Sequence, residues 1–297
     1  MVAFLLASLD SHRDFLNQKG TKRMNFHSTC HSTRSVNAAN VLLAIICAVA
    51  LAACGGSDTE DSAGGPPAPT EQAAGDLSAS PVDTGTGLSG KVTLNGPRPE
   101  RTVVQTESDE KCAEAHGNEP LLSDSTIVSE NGEIKNVFVY IKEAPEGDYP
   151  PPAEQVVLDQ VGCRYIPHVF GVQLGQELSI QNSDPTLHNV RSFSRKNRPF
   201  NNTQIEGAAP RVKTFKNVEL HVRMKCDIHP WMTAFFFAIE HPFFAVTDES
   251  GAYTIEGLPA GDYTLVAWHE KYGEQETTIT ITEGEGTAAD FTFEPEA

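Results

Sequence analysis

The segment Lys225-Cys226-Asp-Ile-His229-Pro-Trp-Met232 decides how this chain is interpreted, together with Leu187-His188-Asn-Val upstream. A cysteine thiolate, two imidazoles and a thioether form a donor set that suits copper better than any other common metal. A His three residues after the Cys, and a Met three residues after the His, fit one tight loop after a strand. We therefore expect His188 to reach the same point from the end of an earlier strand.

This pattern resembles the cupredoxins, in particular the amicyanin type, which has the same short Cys-x-x-His-x-x-Met loop and an upstream His-Asn-Val. The resemblance implies one type 1 (blue) copper site. In such a site His188 and His229 supply the imidazole ligands, Cys226 the thiolate and Met232 the weak axial ligand. A buried thiol with surface histidines is the alternative interpretation.

The resemblance also assigns roles to residues beside the ligands. Asn189 is expected to bridge the two ligand-bearing loops by hydrogen bonds. The edge of the His229 imidazole is expected to reach the surface in an apolar patch where electrons enter, which makes Pro230 and Trp231 partner contacts. A Trp231 that only caps the core is the alternative.

Strand signals dominate the chain from Leu88 onward, and helical periodicity is scarce. In the segment 135–142 the apolar residues Val137, Val139 and Ile141 alternate onto one face. Short alternating runs separated by Gly, Pro, Asn and Asp turns predict an all-β sandwich. The resemblance to the cupredoxins further implies that the sandwich has the Greek-key topology of that family. One helical turn is expected between Asp109 and His116.

The C-terminal stretch from Val246 to Ala267 carries a second resemblance. Its Gly-x-Tyr and Leu-Pro-Ala-Gly-x-Tyr pattern resembles the carboxypeptidase-regulatory or transthyretin-like β-sandwich. We predict a cupredoxin domain at 143–244 inserted into a sandwich formed by 88–142 and 245–297. The alternative is a cupredoxin domain at 88–244 followed by a small separate sandwich at 245–297.

The first 53 residues are interpreted as a signal peptide, with Met24 as a possible true start. Their apolar run ends in Leu-Ala-Ala-Cys54-Gly, which resembles a bacterial lipobox and implies lipidation of Cys54. Residues 54–87 are predicted to be a disordered linker. We therefore expect a protein of the bacterial cell envelope, anchored in a membrane by lipid. A plain secretory peptide and an uncleaved anchor are the alternatives.

The net charge of −18 argues against nucleic acid or anionic lipid as a partner of the whole chain. The segment between His188 and Cys226 is basic in contrast, and this suggests steering of an acidic protein redox partner. A solvated loop is the alternative. The basic residues are Arg191, Arg195, Lys196, Arg198, Arg211, Lys213, Lys216, Arg223 and Lys225.

Two further cysteines allow two interpretations. If Cys54 is lipidated and Cys226 binds metal, Cys112 and Cys163 remain, and an oxidising compartment permits a disulfide between them. The alternative is a tetrahedral zinc site completed by His116 and His168.

The sequence favours an electron carrier over an enzyme. No nucleophile–base pair, phosphate-binding loop or glycosidase carboxylate pair stands out, and Met232 would fill the position that a catalytic copper leaves open. A copper chaperone or storage protein is the first alternative. The second is a surface module that binds carbohydrate or protein and holds copper structurally.

Overall fold

A computed structural model describes residues 87–117 and 119–295. The predicted signal peptide, the predicted lipidation at Cys54 and the predicted linker up to residue 86 lie outside these residues. Within the described ranges, no helix has the length and hydrophobicity needed to cross a membrane.

Strands make up nearly all of the regular secondary structure of the described chain, as predicted. Its helix, α1, covers the stretch where one helical turn was expected. In chain order the elements are β1 (Gly87–Leu94), α1 (Glu110–Ala115), β2 (Phe138–Ile141), β3 (Val156–Val161), β4 (Arg164–Ile166), β5 (Val169–Gln173), β6 (Glu177–Asn182), β7 (His188–Ser192), β8 (Asn201–Gln204), β9 (Arg211–Thr214), β10 (Glu219–Lys225), β11 (Thr233–Ile239), β12 (Phe244–Val246), β13 (Ala252–Glu256), β14 (Gly261–His269), β15 (Gly273–Ile281), β16 (Thr287–Ala288) and β17 (Phe291–Phe293).

The first sandwich combines the N-terminal strands with the C-terminal ones. One of its sheets has the order β13–β1–β16, with β17 also paired to β1, and the other has the order β12–β2–β14–β15. Alternating residues of both sheets, such as Val92, Val139 and Leu265, are completely buried between them. Burial of this alternating apolar face drives the two sheets together.

The second sandwich uses the strands from β3 to β11. Its sheets have the orders β5–β11–β10–β7–β8 and β4–β3–β6–β9. Their shared core includes Leu158, Ile180, Met224 and Phe236, each 0% exposed. Both ligand-bearing segments of the sequence belong to the first of these two sheets.

A third apolar layer joins the two sandwiches. Phe138 and Phe237 stack with ring centroids 3.8 Å apart, and Trp268 packs edge-on against Phe237 at 5.2 Å. This layer explains why all residues of β2 are buried, because Val139 and Ile141 face one core while Phe138 and Tyr140 face the layer. A strand that is covered on both faces has an apolar run in place of alternation.

The chain leaves the first sandwich after β2 and returns to it at β12. β2 is hydrogen-bonded to β12 and β14, whereas the strands from β3 to β11 pair among themselves. The division of the chain into an inserted domain and a discontinuous domain stays a prediction. That prediction requires the strand pairing described here.

Candidate metal centre

Strand pairing brings the two predicted ligand segments together. β7 and β10 are antiparallel neighbours, with Arg191 opposite Lys225 and Ser192 opposite Met224. His188 begins β7, and Cys226 follows the last residue of β10 directly. The register therefore places both side chains at the same end of the sheet.

The loop between β10 and β11 is a closed turn. The Cys226 amide donates to the carbonyl of Met232 at 3.2 Å, and the Met232 amide donates to the carbonyl of His229 at 2.9 Å. The His229 amide points inward and lies 3.3 Å from the Cys226 sulfur. The spacing Cys-x-x-His-x-x-Met thus sets the size of one hydrogen-bonded loop.

Two imidazole nitrogens and one sulfur converge inside this end of the sheet. The Nδ1 atoms of His188 and His229 are 2.8 Å apart, and the Cys226 Sγ lies 3.8 Å from His229 Nδ1. The exposed fractions of His188, Cys226 and His229 are 0%, 1% and 2%. One potential ligand atom of each of these residues lies within 4.8 Å of the other two.

Carboxylates hold the far nitrogen of each ring. His188 Nε2 is 2.8 Å from the Asp184 carboxylate, and His229 Nε2 is 2.9 Å from that of Asp109. A carboxylate accepts the Nε2 proton, so the Nδ1 lone pairs are left to face each other. Such an arrangement is repulsive unless a proton or a metal cation lies between the two nitrogens.

Proton affinities at the site reflect this crowding. Burial by itself lowers the pKa of His188, but its hydrogen bonds with Asp184 and Cys226 outweigh burial and raise the pKa to about 9. Burial would raise the pKa of the Cys226 thiol, yet the His188 side chain and nearby backbone groups lower it to about 7. The pocket therefore favours a thiolate beside a positive charge.

These donors fit a copper ion. A thiolate and two neutral imidazoles in a buried pocket are the equatorial ligands of a type 1 site. His188, Cys226 and His229 would hold the ion. Met232 is 1% exposed and packs in the same core as Cys226, and its role as an axial ligand stays a prediction.

Asn189 links the two loops. Its Oδ1 accepts a hydrogen bond from the Asp227 amide at 2.8 Å and lies 3.4 Å from the Cys226 sulfur. Its Nδ2 donates to Asn201 at 2.7 Å, and its carbonyl accepts from the Tyr165 hydroxyl. These contacts are the bridge that the resemblance implied for this side chain.

The expectation of an exposed His229 edge is wrong. Asp109 covers that edge, and it also caps α1 by accepting hydrogen bonds from the amides of Lys111 and Cys112. Trp231 lies 5.1 Å from the His229 ring, but its indole N–H donates to the carbonyl of Cys163 at 3.1 Å. Trp231 is half-buried, and its neighbour Pro230 is exposed.

A disulfide joins Cys112 to Cys163. The alternative zinc site is therefore wrong, because both of its sulfur donors are bonded to each other. Its two histidines also have other partners. His116 Nε2 lies 2.8 Å from the carbonyl of Gly162, and His168 pairs with Glu270.

The sequence did not indicate two residues of the site, Asp184 and Asp109. Asp184 lies in the loop before His188, and a carboxylate four residues ahead of a candidate ligand was the signal that could have indicated it. Asp109 gave no such signal, because 120 residues separate it from His229.

Comparisons with known proteins give a family match at the C-terminal end and solved structures of low similarity. The family model of the carboxypeptidase regulatory-like domain matches residues 240–294. A copper-containing nitrite reductase from Thermus scotoductus SA-01 is 19% identical with a TM-score of 0.28, and the match covers 34% of this chain and 25% of that one. A methionine-to-alanine variant of amicyanin with Cu(I) is 16% identical with a TM-score of 0.26, and the match covers 34% of this chain and 97% of that one.

A purple cupredoxin from Nitrosopumilus maritimus is 17% identical with a TM-score of 0.25, over 28% of this chain and 99% of that one. Similarities this low carry no argument about function, and no curated protein matches the chain. The chain is an all-β protein of two sandwiches, and the match to the carboxypeptidase regulatory-like domain falls on the C-terminal strands of the first sandwich.

Proposed function

We propose that this protein is a type 1 copper protein that carries single electrons between redox partners at the bacterial cell envelope. One observation carries the proposal. The Nδ1 atoms of His188 and His229 and the sulfur of Cys226 meet in a buried pocket, with each imidazole fixed from behind by a carboxylate.

Bound copper would supply a couple that changes by one electron. The protein itself keeps the ligand atoms in fixed positions and away from water. Asp184 and Asp109 fix the two rings, while Asn189 ties the ligand loop to β7. A frame held in this way changes little between oxidation states, and its donors are almost completely buried. Both properties favour a carrier over an enzyme.

Apolar side chains next to the ligands offer a place for a partner to dock. Leu187 precedes His188 and is 41% exposed, and Ile228 precedes His229 and is 43% exposed. Both aliphatic groups are exposed, although the donors beside them are buried. Because Asp109 shields His229, we propose that an electron would enter the site past this carboxylate and these two side chains.

Copper(II) titration of the purified full-length chain tests the function. We expect an intense visible thiolate-to-copper band at one equivalent and a reversible one-electron couple. Cys226→Ser should abolish the band, whereas His241→Asn, at a buried histidine of the other sandwich, should leave it. A wild-type protein that stays colourless refutes the proposal. Copper that exchanges readily without a reversible couple would instead indicate a chaperone or storage protein.

The attachment to the membrane is a separate part of the proposal. It rests on the apolar run that ends at Cys54 and on the acidic, Gly- and Pro-rich linker after it. Metabolic labelling with a fatty acid should mark the wild type and not Cys54→Ala. Release of the unlabelled variant from the membrane fraction would complete the test, since a lipid chain supplies the attachment.

A further inference from the structure

One face of the β5–β11–β10–β7–β8 sheet is covered over only half of its width. On β11, Phe237 stacks on Phe138 of the first sandwich, and Phe235 packs edge-on against Trp268 at 5.1 Å. The cover ends where Trp268 meets His221 of β10, with ring centroids 5.8 Å apart. Beyond this point the described part of the chain leaves the outer side of β10 and β7 exposed.

The uncovered half of the sheet is basic and carries an aromatic platform. Phe193, directly after β7, is 40% exposed. The guanidinium groups of Arg191 and Arg223 lie over its ring, 5.1 and 5.2 Å from the centroid. A guanidinium over an aromatic ring is oriented and partly desolvated while its N–H groups remain free for a planar anion.

The neighbouring loop adds charge and is held in place. Arg195 and Lys196 are exposed, and their backbone amides donate to the buried Glu219 carboxylate. Asn197 donates to the same carboxylate through its amide at 2.9 Å. Glu219 therefore fixes the backbone of this loop. Together with Phe193, the side chain of Arg195 lines a groove beside β7.

Little negative charge opposes these groups. Asp227 lies 3.5 Å from Arg191, which makes a long, exposed ion pair. Within residues 87–117 and 119–295, neither Arg195 nor Arg223 forms an ion pair. On a chain of net charge −18, a basic surface with a single weak ion pair is an exception that a carboxylate-rich partner would match.

The surface also lies on the strands that form the candidate metal centre. Arg191 is opposite Lys225, the residue before Cys226, and Asp227 connects Arg191 to the bridging residue Asn189. A partner seated here would sit close to the donors.

We propose that the exposed surface of Arg191, Phe193, Arg195 and Arg223 docks a carboxylate-rich patch on the redox partner protein. This inference rests on the proposed function, and it names the partner's chemistry and the residues that receive it. The guanidinium groups bind carboxylates in a bidentate manner, and Phe193 holds two of them in position.

Binding of a fluorescent polyglutamate peptide to the copper-free full-length chain tests this proposal. The peptide should bind at low salt and dissociate as salt rises. Arg191→Gln with Arg223→Gln should weaken binding by about tenfold or more, because oriented charge-assisted contacts are lost. Phe193→Ala should weaken binding by a few fold, since the guanidinium groups lose their support.

The matched control, Arg211→Gln with Lys216→Gln, removes the same charge from exposed positions elsewhere on the sandwich. It should change the affinity by less than about threefold if position matters beyond net charge. Equal loss in the control, or no binding by the wild type, overturns the proposal. So does tighter binding to phosphatidylserine vesicles or duplex DNA, or self-association that the Arg191 and Arg223 changes abolish.

The test of the docking surface can fail independently of the test of the proposed function. Cys226→Ser cannot form a type 1 site, yet it should bind the peptide as the wild type does. Peptide binding without a copper band would refute the electron-carrier function alone. A copper band with peptide binding insensitive to Arg191 and Arg223 would refute the docking surface alone.

Discussion

The buried carboxylate of Asp184 accepts three hydrogen bonds. Its oxygens accept from the amides of Gly162 and Cys163 at 2.6 and 2.7 Å and from His188 Nε2 at 2.8 Å. The residue is 3% exposed. Asp184 therefore connects a candidate ligand to the turn that carries the disulfide, and it fixes which nitrogen of His188 faces the pocket.

Replacement of Asp184 by alanine should lower the free energy of unfolding by about 2 to 4 kcal/mol, because buried donors lose their acceptor. Asp184→Asn keeps one acceptor oxygen and should cost less. Urea denaturation of the copper-free variants measures both effects. If the proposed site is real, copper affinity should also fall by about 10- to 100-fold in Asp184→Ala. An alanine variant within about 0.5 kcal/mol of the wild type would contradict this account of the carboxylate.

Sequence reasoning reached the residues whose partners are local. Cys226, His229 and Met232 share one short loop, and His188 could be matched through a motif. Asp109 could not be foreseen, since it reaches His229 only through the docking of α1. The same docking explains why the exposed His229 edge was predicted wrongly. Cys112 and Cys163 could be paired by elimination, because sequence reasoning assigned Cys54 to lipidation and Cys226 to the metal.

At the scale of elements, α1 acts as a cover that is attached at two points. The disulfide holds Cys112 to the turn after β3, and Asp109 contacts His229 while its hydrogen bond from Thr186 holds it to the loop before β7. A helix of six residues is too short to be stable by itself. Its position over the candidate metal centre therefore depends on these attachments.

Removal of the disulfide should open the candidate metal centre. In Cys112→Ser with Cys163→Ser, alkylation of the Cys226 thiol in the copper-free protein should be faster than in the wild type. The lost cross-link closes a loop of 51 residues and should also cost about 2 to 4 kcal/mol of stability. Asp109→Ala with the disulfide intact should accelerate alkylation to a smaller extent.

Lys111→Ala, on the exposed side of α1, is the control and should react like the wild type. Alkylation rates are to be compared well below the unfolding midpoint of each variant, so that global unfolding does not contribute. Equal rates in the disulfide variant and the wild type would show that α1 does not shield Cys226.

The whole described molecule is a stack of four sheets with three apolar layers between them. The middle layer, built around Phe138, Phe237 and Trp268, belongs to neither sandwich alone. Because these aromatic rings are buried against both sandwiches, they couple the stabilities of the two sandwiches. We expect them to unfold together in one transition.

Phe237→Ala should test this coupling. The change removes a ring that is 0% exposed and should cost about 3 to 5 kcal/mol. Thermal unfolding followed at both sandwiches should then separate into two transitions. Phe193→Ala, a matched change at an exposed ring, should leave one transition and cost less than about 1 kcal/mol. One unchanged transition in Phe237→Ala would disprove coupling through this layer.

Two buried histidines should make the folded molecule sensitive to acid. Burial lowers the pKa of His241 to about 4, and the hydrogen bond with Ile141 only partly opposes it. Burial, with electrostatic repulsion from the side chains of His168 and Lys271, lowers the pKa of His269 to about 4. Each ring is neutral in the folded state, and its Nδ1 accepts a backbone amide, from Phe243 and Lys271 respectively, at 3.2 Å.

An unfolded histidine titrates near pH 6.5, so between about pH 6.5 and 4 the unfolded chain binds more protons than the folded one. Stability should therefore be complete above about pH 6.5 and fall by about 3 kcal/mol for each histidine as the pH drops to about 4. Together these losses are comparable with the total stability of an ordinary domain.

His241→Asn with His269→Asn keeps an acceptor oxygen near each Nδ1 position and removes the titration. Urea unfolding from pH 7 to 4 should give a flatter profile for this variant than for the wild type or for His221→Asn at an exposed histidine. Parallel profiles would refute the assignment, and a flatter profile would trace the acid sensitivity of the whole stack to two rings outside the candidate metal centre.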